Sequence, residues 1–218
     1  MVEISTSILG VKKEEENSVI LNLEKANTDY YHIDIMDGKF VLKDNYEKMM
    51  EKARNVKRLT NLPLDVHLMV EKENLQNAIF DALDLEPNLL SFHVEACDSE
   101  ETKRYIKQII RYSRVGIAIK PETDLTKIYE FLPYIHVVLI MTVEPGKGGQ
   151  TYLDSMTNKI KELKKYINEK KLETQIEVDG GINLVTAPLV KEAGADILVA
   201  GTSILIAKDF RKIIDELK

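Results

Sequence analysis

Cysteine is nearly absent from this chain. There is one, Cys97, among 218 residues. A lone cysteine excludes an intramolecular disulfide and a cysteine-only zinc site, and a reducing cytoplasm is the expected compartment. No apolar run approaches the roughly 20 residues that a membrane span requires. The stretch Met1–Gly10 lacks the basic and then apolar regions of a signal peptide. Positive charge is also short: the formal net charge is −6. That excludes a general nucleic-acid binder, whose partner demands a basic excess. No Ser/Gly/Pro-rich linker or lopsided charge block divides the chain, so residues 1–218 are expected to form one domain. Histidine is scarce as well, with four in all. Any metal site must therefore recruit carboxylates.

What is present is alternation. Short β-branched runs are followed by longer stretches with helical spacing. The expected strands are Val2–Leu9, Tyr30–Met36, Leu64–Met69, Leu89–Val94, Val115–Ile119, His136–Met141, Gln175–Asp179 and Ile197–Gly201. Between them, Tyr46/Met49/Met50/Ala53, Leu75/Ala78/Ile79, Ile106/Ile109/Ile110, Leu125/Ile128/Tyr129/Leu132 and Met156/Ile160/Leu163/Ile167 each fall on one helical face, as do Phe210/Ile213/Ile214/Leu217 at the end. The helix near Val19–Ala26 is the least defined, because the preceding Lys12–Asn17 is almost all charged. Strand–helix repetition gives a parallel α/β sheet. Two architectures compete, a (β/α)8 TIM barrel and a doubly wound open sheet. At about 27 residues per unit the barrel is compact but feasible. It is favoured because chemically able residues sit at the C-terminal ends of nearly every strand, and only a barrel points all of those ends at one site.

Period-two alternation decides which residues share a face. His32, Asp34 and Met36 lie on one side of strand 2, with Ile33 and Ile35 on the other. Asp65, His67 and Met69 share a side of strand 3, and Asp179 ends strand 7. His32, Asp34, His67 and Asp179 form a two-histidine, two-aspartate set that suits zinc, iron(II), manganese or cobalt. Any one of them alone reads as an ordinary hydrogen-bonded core residue; four at one barrel face read as a site. His93 reads as packing or support behind that set, and His136, at the start of strand 6, as structural. Six of the ten glycines (Gly146, Gly148, Gly149, Gly180, Gly181 and Gly201) fall in the loops after strands 6, 7 and 8. Turns need glycine too, but glycine amides can also approach an anion closely. Loops after strands 7 and 8 of barrels commonly hold phosphate. A phosphorylated small molecule is the expected ligand.

These motifs resemble the ribulose-phosphate 3-epimerase family. The likeness is carried by Ser7-Ile8-Leu9, by His32-Ile33-Asp34-Ile35-Met36-Asp37-Gly38 and by Asp65-Val66-His67-Leu68-Met69. It continues in Met141-Thr142-Val143-Glu144-Pro145-Gly146 with Gly148-Gly149-Gln150, in Glu177-Val178-Asp179-Gly180-Gly181-Ile182 and in Val199-Ala200-Gly201-Thr202-Ser203. It runs from about Ile4 to Ile204. The resemblance implies a TIM barrel that interconverts D-ribulose 5-phosphate and D-xylulose 5-phosphate through an enediolate. It implies one divalent metal ion on His32, Asp34, His67 and Asp179, with Asp34 and Asp179 as acid and base. Ser7 would touch the substrate, Met36, Met69 and Met141 would wall the reacting carbons, and the loop glycines with Thr202 would hold the phosphate. Family members are often dimers or larger, so a homo-oligomer is expected.

Four stretches depart from the family pattern. Gly10-Val11-Lys12-Lys13-Glu14-Glu15 stands where the family has a Ser-Ala-Asp-Phe-like stretch. Lys39-Phe40-Val41-Leu42-Lys43 replaces His-Phe-Val-Pro-Asn, Ile119-Lys120-Pro121 replaces Leu-Asn-Pro, and Lys147 replaces a phenylalanine between glycines. Lys39, Lys43, Lys120 and Lys147 would make a positive collar that steers anionic sugar phosphates, against the bland reading of a lysine-rich surface. The altered rim leaves open another ketose phosphate such as D-allulose 6-phosphate, or a non-catalytic phosphosugar-binding barrel. A phosphosugar decarboxylase is disfavoured, because its Asp-x-Lys-x-x-Asp is here Asp65-Val66-His67-Leu68-Met69-Val70.

Overall fold

Eight short runs rich in Ile, Val and Leu become eight parallel strands in a computed structural model that describes residues 2–218. Residue 1 of the expected 1–218 domain lies outside the described residues. The strands are β1 (Glu3–Ser7), β2 (Tyr30–Met36), β3 (Leu64–Met69), β4 (Leu89–His93), β5 (Arg114–Ile119), β6 (Val137–Met141), β7 (Gln175–Asp179) and β8 (Ile197–Ala200). Each pairs with the next, and β8 pairs with β1, so the sheet closes as a (β/α)8 barrel. Closure removes the open-sheet alternative. Observed strand ends differ from the expected ones by two residues at most, the usual uncertainty of an element boundary.

The helices are α1 (Glu16–Lys25), α2 (Tyr46–Leu59), α3 (Lys72–Leu83), α4 (Ser99–Ile109), α5 (Ser155–Lys170), α6 (Thr186–Ala193), α7 (Thr202–Leu205) and α8 (Phe210–Leu217). They pack their apolar stripes on the outward strand residues. Ile33 and Ile35 of β2 lie in one buried cluster with Met49, Met50 and Ala53 of α2, and each such fully buried side chain contributes about 1.5–3 kcal/mol. One expected helix is absent. Leu125–Leu132 carries helical spacing, yet the segment forms two 3₁₀ turns, Leu125–Lys127 and Leu132–Tyr134. Pro133 near the start of the second turn supplies no amide and disfavours helix in the residue before it. The chain compensates at the far end, where both α7 and α8 follow β8. Among the described residues no helix is long and apolar enough to cross a membrane.

Inside the barrel, alternation stacks the inward residues in layers taken from alternate strands. Low in the barrel lies an apolar plug of Leu89, Val137 and Ile197. Above it come Ser5, Asp65, Gly116 and Glu177, then His32, Ser91, Leu139 and Val199. Ser7, His67, Ala118 and Asp179 follow, with Asp34, His93 and Met141 nearest the mouth. The pairing register ties these together: Ser7 lies beside His32, His32 beside Asp65, and Asp34 beside His67.

Candidate active site

The four residues singled out as a metal set converge at the C-terminal mouth. His32 Nε2 stands 3.2 Å from Asp34 Oδ1 and 3.8 Å from Asp179 Oδ2. His67 Nδ1 stands 3.4 Å and 3.9 Å from the same two oxygens. His32, Asp34 and His67 are buried, and Asp179 opens toward the cavity. Despite these distances, His32 Nε2 and His67 Nδ1 make no hydrogen bond. Their free ends meet a common centre rather than a partner. Metal–ligand bonds of about 2.1 Å place neighbouring donors roughly 3.0–3.5 Å apart, so the set has the size of a cation site.

The outer contacts decide which imidazole nitrogen is free. His32 Nδ1 lies 2.5 Å from Asp65 Oδ2, and Ser5 Oγ donates to the same oxygen at 2.6 Å. Burial pushes the Asp65 carboxyl up, but the facing His32 outweighs burial and holds it below its ordinary value. Asp65 is therefore an anion, and the His32 proton sits on Nδ1. On the other side His67 Nε2 lies 3.0 Å from His93 Nε2, and His93 Nδ1 lies 2.9 Å from Glu95 Oε2. Burial brings His93 down to about 4, so it is neutral with one proton. Burial opposes ionisation of Glu95, but the bond with His93 leads the contacts that hold it at about 2. Glu95 takes the His93 proton at Nδ1, His93 Nε2 is left as an acceptor, and His67 must donate from Nε2. Both site histidines thus turn a lone pair to the centre, the arrangement that outer carboxylates impose on metal-binding imidazoles.

Charge argues the same way. Burial disfavours a charged His32, yet Asp65 and Asp34 hold it well above its ordinary value. Without another cation His32 Nε2 therefore holds a proton, and a metal ion at the centre would displace that proton and take the lone pair. The two aspartates are driven apart. For Asp34 the imidazoles of His32 and His67 outweigh burial and keep the carboxyl below its usual range. For Asp179 burial dominates, Asp34 adds repulsion, and the carboxyl is pushed up to about 7. Two carboxyls of unlike proton affinity on one site is the signature of an acid–base pair.

Above this set lies a cavity of about 530 Å³. Asp34 and Asp179 reach it, as do Ser7, Met36, Met69, Met141, Gly146, Gly148, Gly149, Gly180, Gly181, Gly201 and Thr202, the positions expected to contact substrate, whereas His32 and His67 lie beneath it. Ser7 Oγ donates to Asp34 Oδ2 at 3.0 Å. Thr142 Oγ1 donates to the Gly180 carbonyl at 2.6 Å, tying the loop after β6 to the loop after β7. Glycine is required there. Gly181 has φ +67, and a Cβ on it would lie 2.5 Å from the Tyr152 amide nitrogen. Gly180, at φ +126, is packed as tightly against Val143.

The family profile for ribulose-phosphate 3 epimerases matches residues 3–205. The chain belongs to that family. Ribulose-phosphate 3-epimerase of Methanocaldococcus jannaschii is 39% identical over 222 residues, covering 100% of this chain and 90% of the relative. That of Bacillus subtilis is 39% identical over 220 residues, covering 100% and 99%. Membership makes the chain an enzyme, an epimerase. Among solved structures, KGPDC from Streptococcus mutans, solved in complex with a sugar phosphate, superposes with a TM-score of 0.73 at 10% identity, covering 99% of this chain and 95% of that one. A 3-hexulose-6-phosphate synthase gives 0.70 at 16%, covering 99% and 98%. At such identities these two speak for the fold alone.

Several residues of the site are supporting ones that sequence reading did not assign. Ser5, Asp65 and Glu177 form a buried polar layer beneath the histidines. Glu177 has no hydrogen-bond partner on either oxygen, and Asp65 Oδ1 has none. Burial and then the Asp65 charge push the Glu177 carboxyl well up, so it is a neutral acid among acceptors. The available signal was period two: Ser5 precedes Ser7 by two, Asp65 precedes His67 by two, and Glu177 precedes Asp179 by two. His93 supports His67, as its strand position implied. His136 Nδ1 accepts from the Val115 amide at 3.2 Å below the site and is structural. The lysine collar needs correction. Lys43 and Lys147 line the cavity, but Lys39 and Lys120 do not. Lys120 is held over the Phe40 ring at 4.2 Å, and that ring packs tilted at 40° against His93 with 4.6 Å between centroids.

Proposed function

We propose that this epimerase interconverts D-ribulose 5-phosphate and D-xylulose 5-phosphate, with one divalent ion (zinc, iron(II), manganese or cobalt) held by His32, Asp34, His67 and Asp179. The observation that carries the proposal is the pair of buried imidazole lone pairs facing two carboxylates across one centre. A divalent cation held there supplies positive charge against the negative charge that develops on the substrate oxygens. The remaining chemistry belongs to the chain. Epimerisation beside a ketone takes a proton from one face of a carbon and returns one to the other, through a planar enediolate. Asp34 and Asp179 are suited to this, because both carboxyls reach the cavity at the barrel mouth. Ser7 keeps Asp34 oriented. Met36, Met69 and Met141 are buried at the mouth and keep water off the reacting carbon. The glycine loops after β6, β7 and β8 offer a polar cradle for the phosphate. The first amides of α7, which open at Gly201, lack intrahelical partners and support that reading.

The test is turnover in deuterated water. The product is expected to carry one solvent deuteron at C3 for each turnover. Retention of the original hydrogen would overturn the two-carboxylate mechanism. Running D-allulose 6-phosphate alongside decides the substrate, and a higher kcat/KM for that sugar would reassign it.

A further inference from the structure

One lysine of α2 has left the surface. Lys52 is 1% exposed, and it lies on the buried face of α2 with Met49, Met50, Ala53 and Val56. Packing alone would be served by another methionine, because an ammonium is costly to bury. The ammonium instead makes two backbone contacts on a different element. Nζ donates to the Ile8 carbonyl at 3.0 Å and to the Val11 carbonyl at 2.8 Å. Both carbonyls belong to the segment that leaves β1: Ile8 lies in the stretch that matches the family pattern, and Val11 in the stretch that departs from it.

That segment shapes the site. Ile8 follows Ser7, whose Oγ donates to Asp34 Oδ2 at 3.0 Å. The Leu9 amide donates back to Ser7 Oγ at 3.4 Å, and Leu9 and Gly10 line the cavity. The Ile8 carbonyl also accepts from the Val11 amide at 3.1 Å, closing a tight turn on the atom that Lys52 grips. Nothing but backbone lies between the lysine and Ser7. The charged groups that bear on Lys52 are Glu16 of α1, which favours its charge, and Lys48, Lys13 and Lys43, which oppose it. Burial leads, and brings the amine down to about 8.

We propose that Lys52 is a positioning residue for the epimerisation: its grip on the Ile8 and Val11 carbonyls fixes the turn after β1 so that Ser7 stays on Asp34. The inference rests on the reading of Asp34 as an acid–base group.

A double-mutant cycle in the full-length enzyme tests it, with kcat, KM and urea unfolding measured for Lys52→Met, Ser7→Ala and the pair. Displacing an oriented group by a fraction of an ångström to 1 Å costs about 10- to 100-fold in rate. Lys52→Met is therefore expected to lower kcat about tenfold or more with a smaller change in KM. The pair is expected to be no slower than Ser7→Ala alone. Losses in kcat that multiply, or a Lys52→Met variant that unfolds earlier but keeps its kcat, would overturn the proposal. An unchanged kcat in Ser7→Ala would instead remove the role of Ser7 at Asp34, and with it the route from Lys52. Should Lys52→Met not fold, Lys52→Gln retains an N–H donor and enters the same cycle, with the same outcomes.

Discussion

Asp65 touches no substrate and faces no cavity, yet its replacement should be felt at the metal centre. Its Oδ2 receives both the His32 Nδ1 proton at 2.5 Å and the Ser5 hydroxyl at 2.6 Å, all in the barrel interior. Asp65→Asn keeps an acceptor of the same shape and removes the charge. A charge-assisted hydrogen bond is about twice as strong as a neutral one, so part of the hold on His32 remains. Outer partners of metal-binding histidines are worth about 10- to 100-fold in metal affinity, equivalent to about 1.4–2.7 kcal/mol at 1.36 kcal/mol per decade. Asp65→Asn is expected near the tenfold end. Asp65→Ala is expected near the hundredfold end, since it strands a buried N–H and a buried O–H at about 1–3 kcal/mol each. Chelator competition for cobalt(II), followed by absorbance, measures both. Two variants that bind cobalt as tightly as the parent would refute the argument that Asp65 sets the free nitrogen of His32.

Three further outcomes follow from the same geometry. Metal must displace the Asp179 proton, and that carboxyl lies at about 7. Apparent affinity should rise at least about tenfold per pH unit up to pH 7 and less steeply above, as titration calorimetry at stepped pH would show. Lys43 and Lys147 line the mouth of a chain with net charge −6 and make no ion pair among the described residues. kcat/KM should fall several-fold as salt shortens the screening length from about 30 Å to about 3 Å, and the Lys43→Gln/Lys147→Gln pair should flatten that slope. Lys52 binds its proton more weakly folded, at about 8, than at its ordinary 10.5. Its burial penalty is complete below pH 8 and fades as pH rises to 10.5, so the parent should gain up to about 3 kcal/mol on Lys52→Met over that window, by urea unfolding.

Much of the site was readable because a barrel strand writes its inward face at every second residue. His32/Asp34/Met36 and His67/Met69 needed only that period and a closed sheet. The same rule reached Asp65 and Glu177 but gave no reason to assign them, since a carboxyl buried beneath a site carries no distinctive spacing. The false helix at Leu125–Leu132 shows the limit of periodicity. Apolar residues at helical intervals also satisfy two 3₁₀ turns, and Pro133 chose between them. Lys52 was invisible for a different reason. Its partners are main-chain carbonyls about 40 residues away in sequence, and no side-chain pattern records a carbonyl. Of the four collar lysines only Lys43 and Lys147 line the cavity, and Lys120 sits over the Phe40 ring instead.

The most direct test of the whole account is turnover of D-ribulose 5-phosphate to D-xylulose 5-phosphate, measured before chelation, after it, and after adding back zinc, iron(II), manganese or cobalt. Activity lost with the metal and restored by at least one of these ions is the predicted result. Full activity in protein shown by elemental analysis to be metal-free would contradict it.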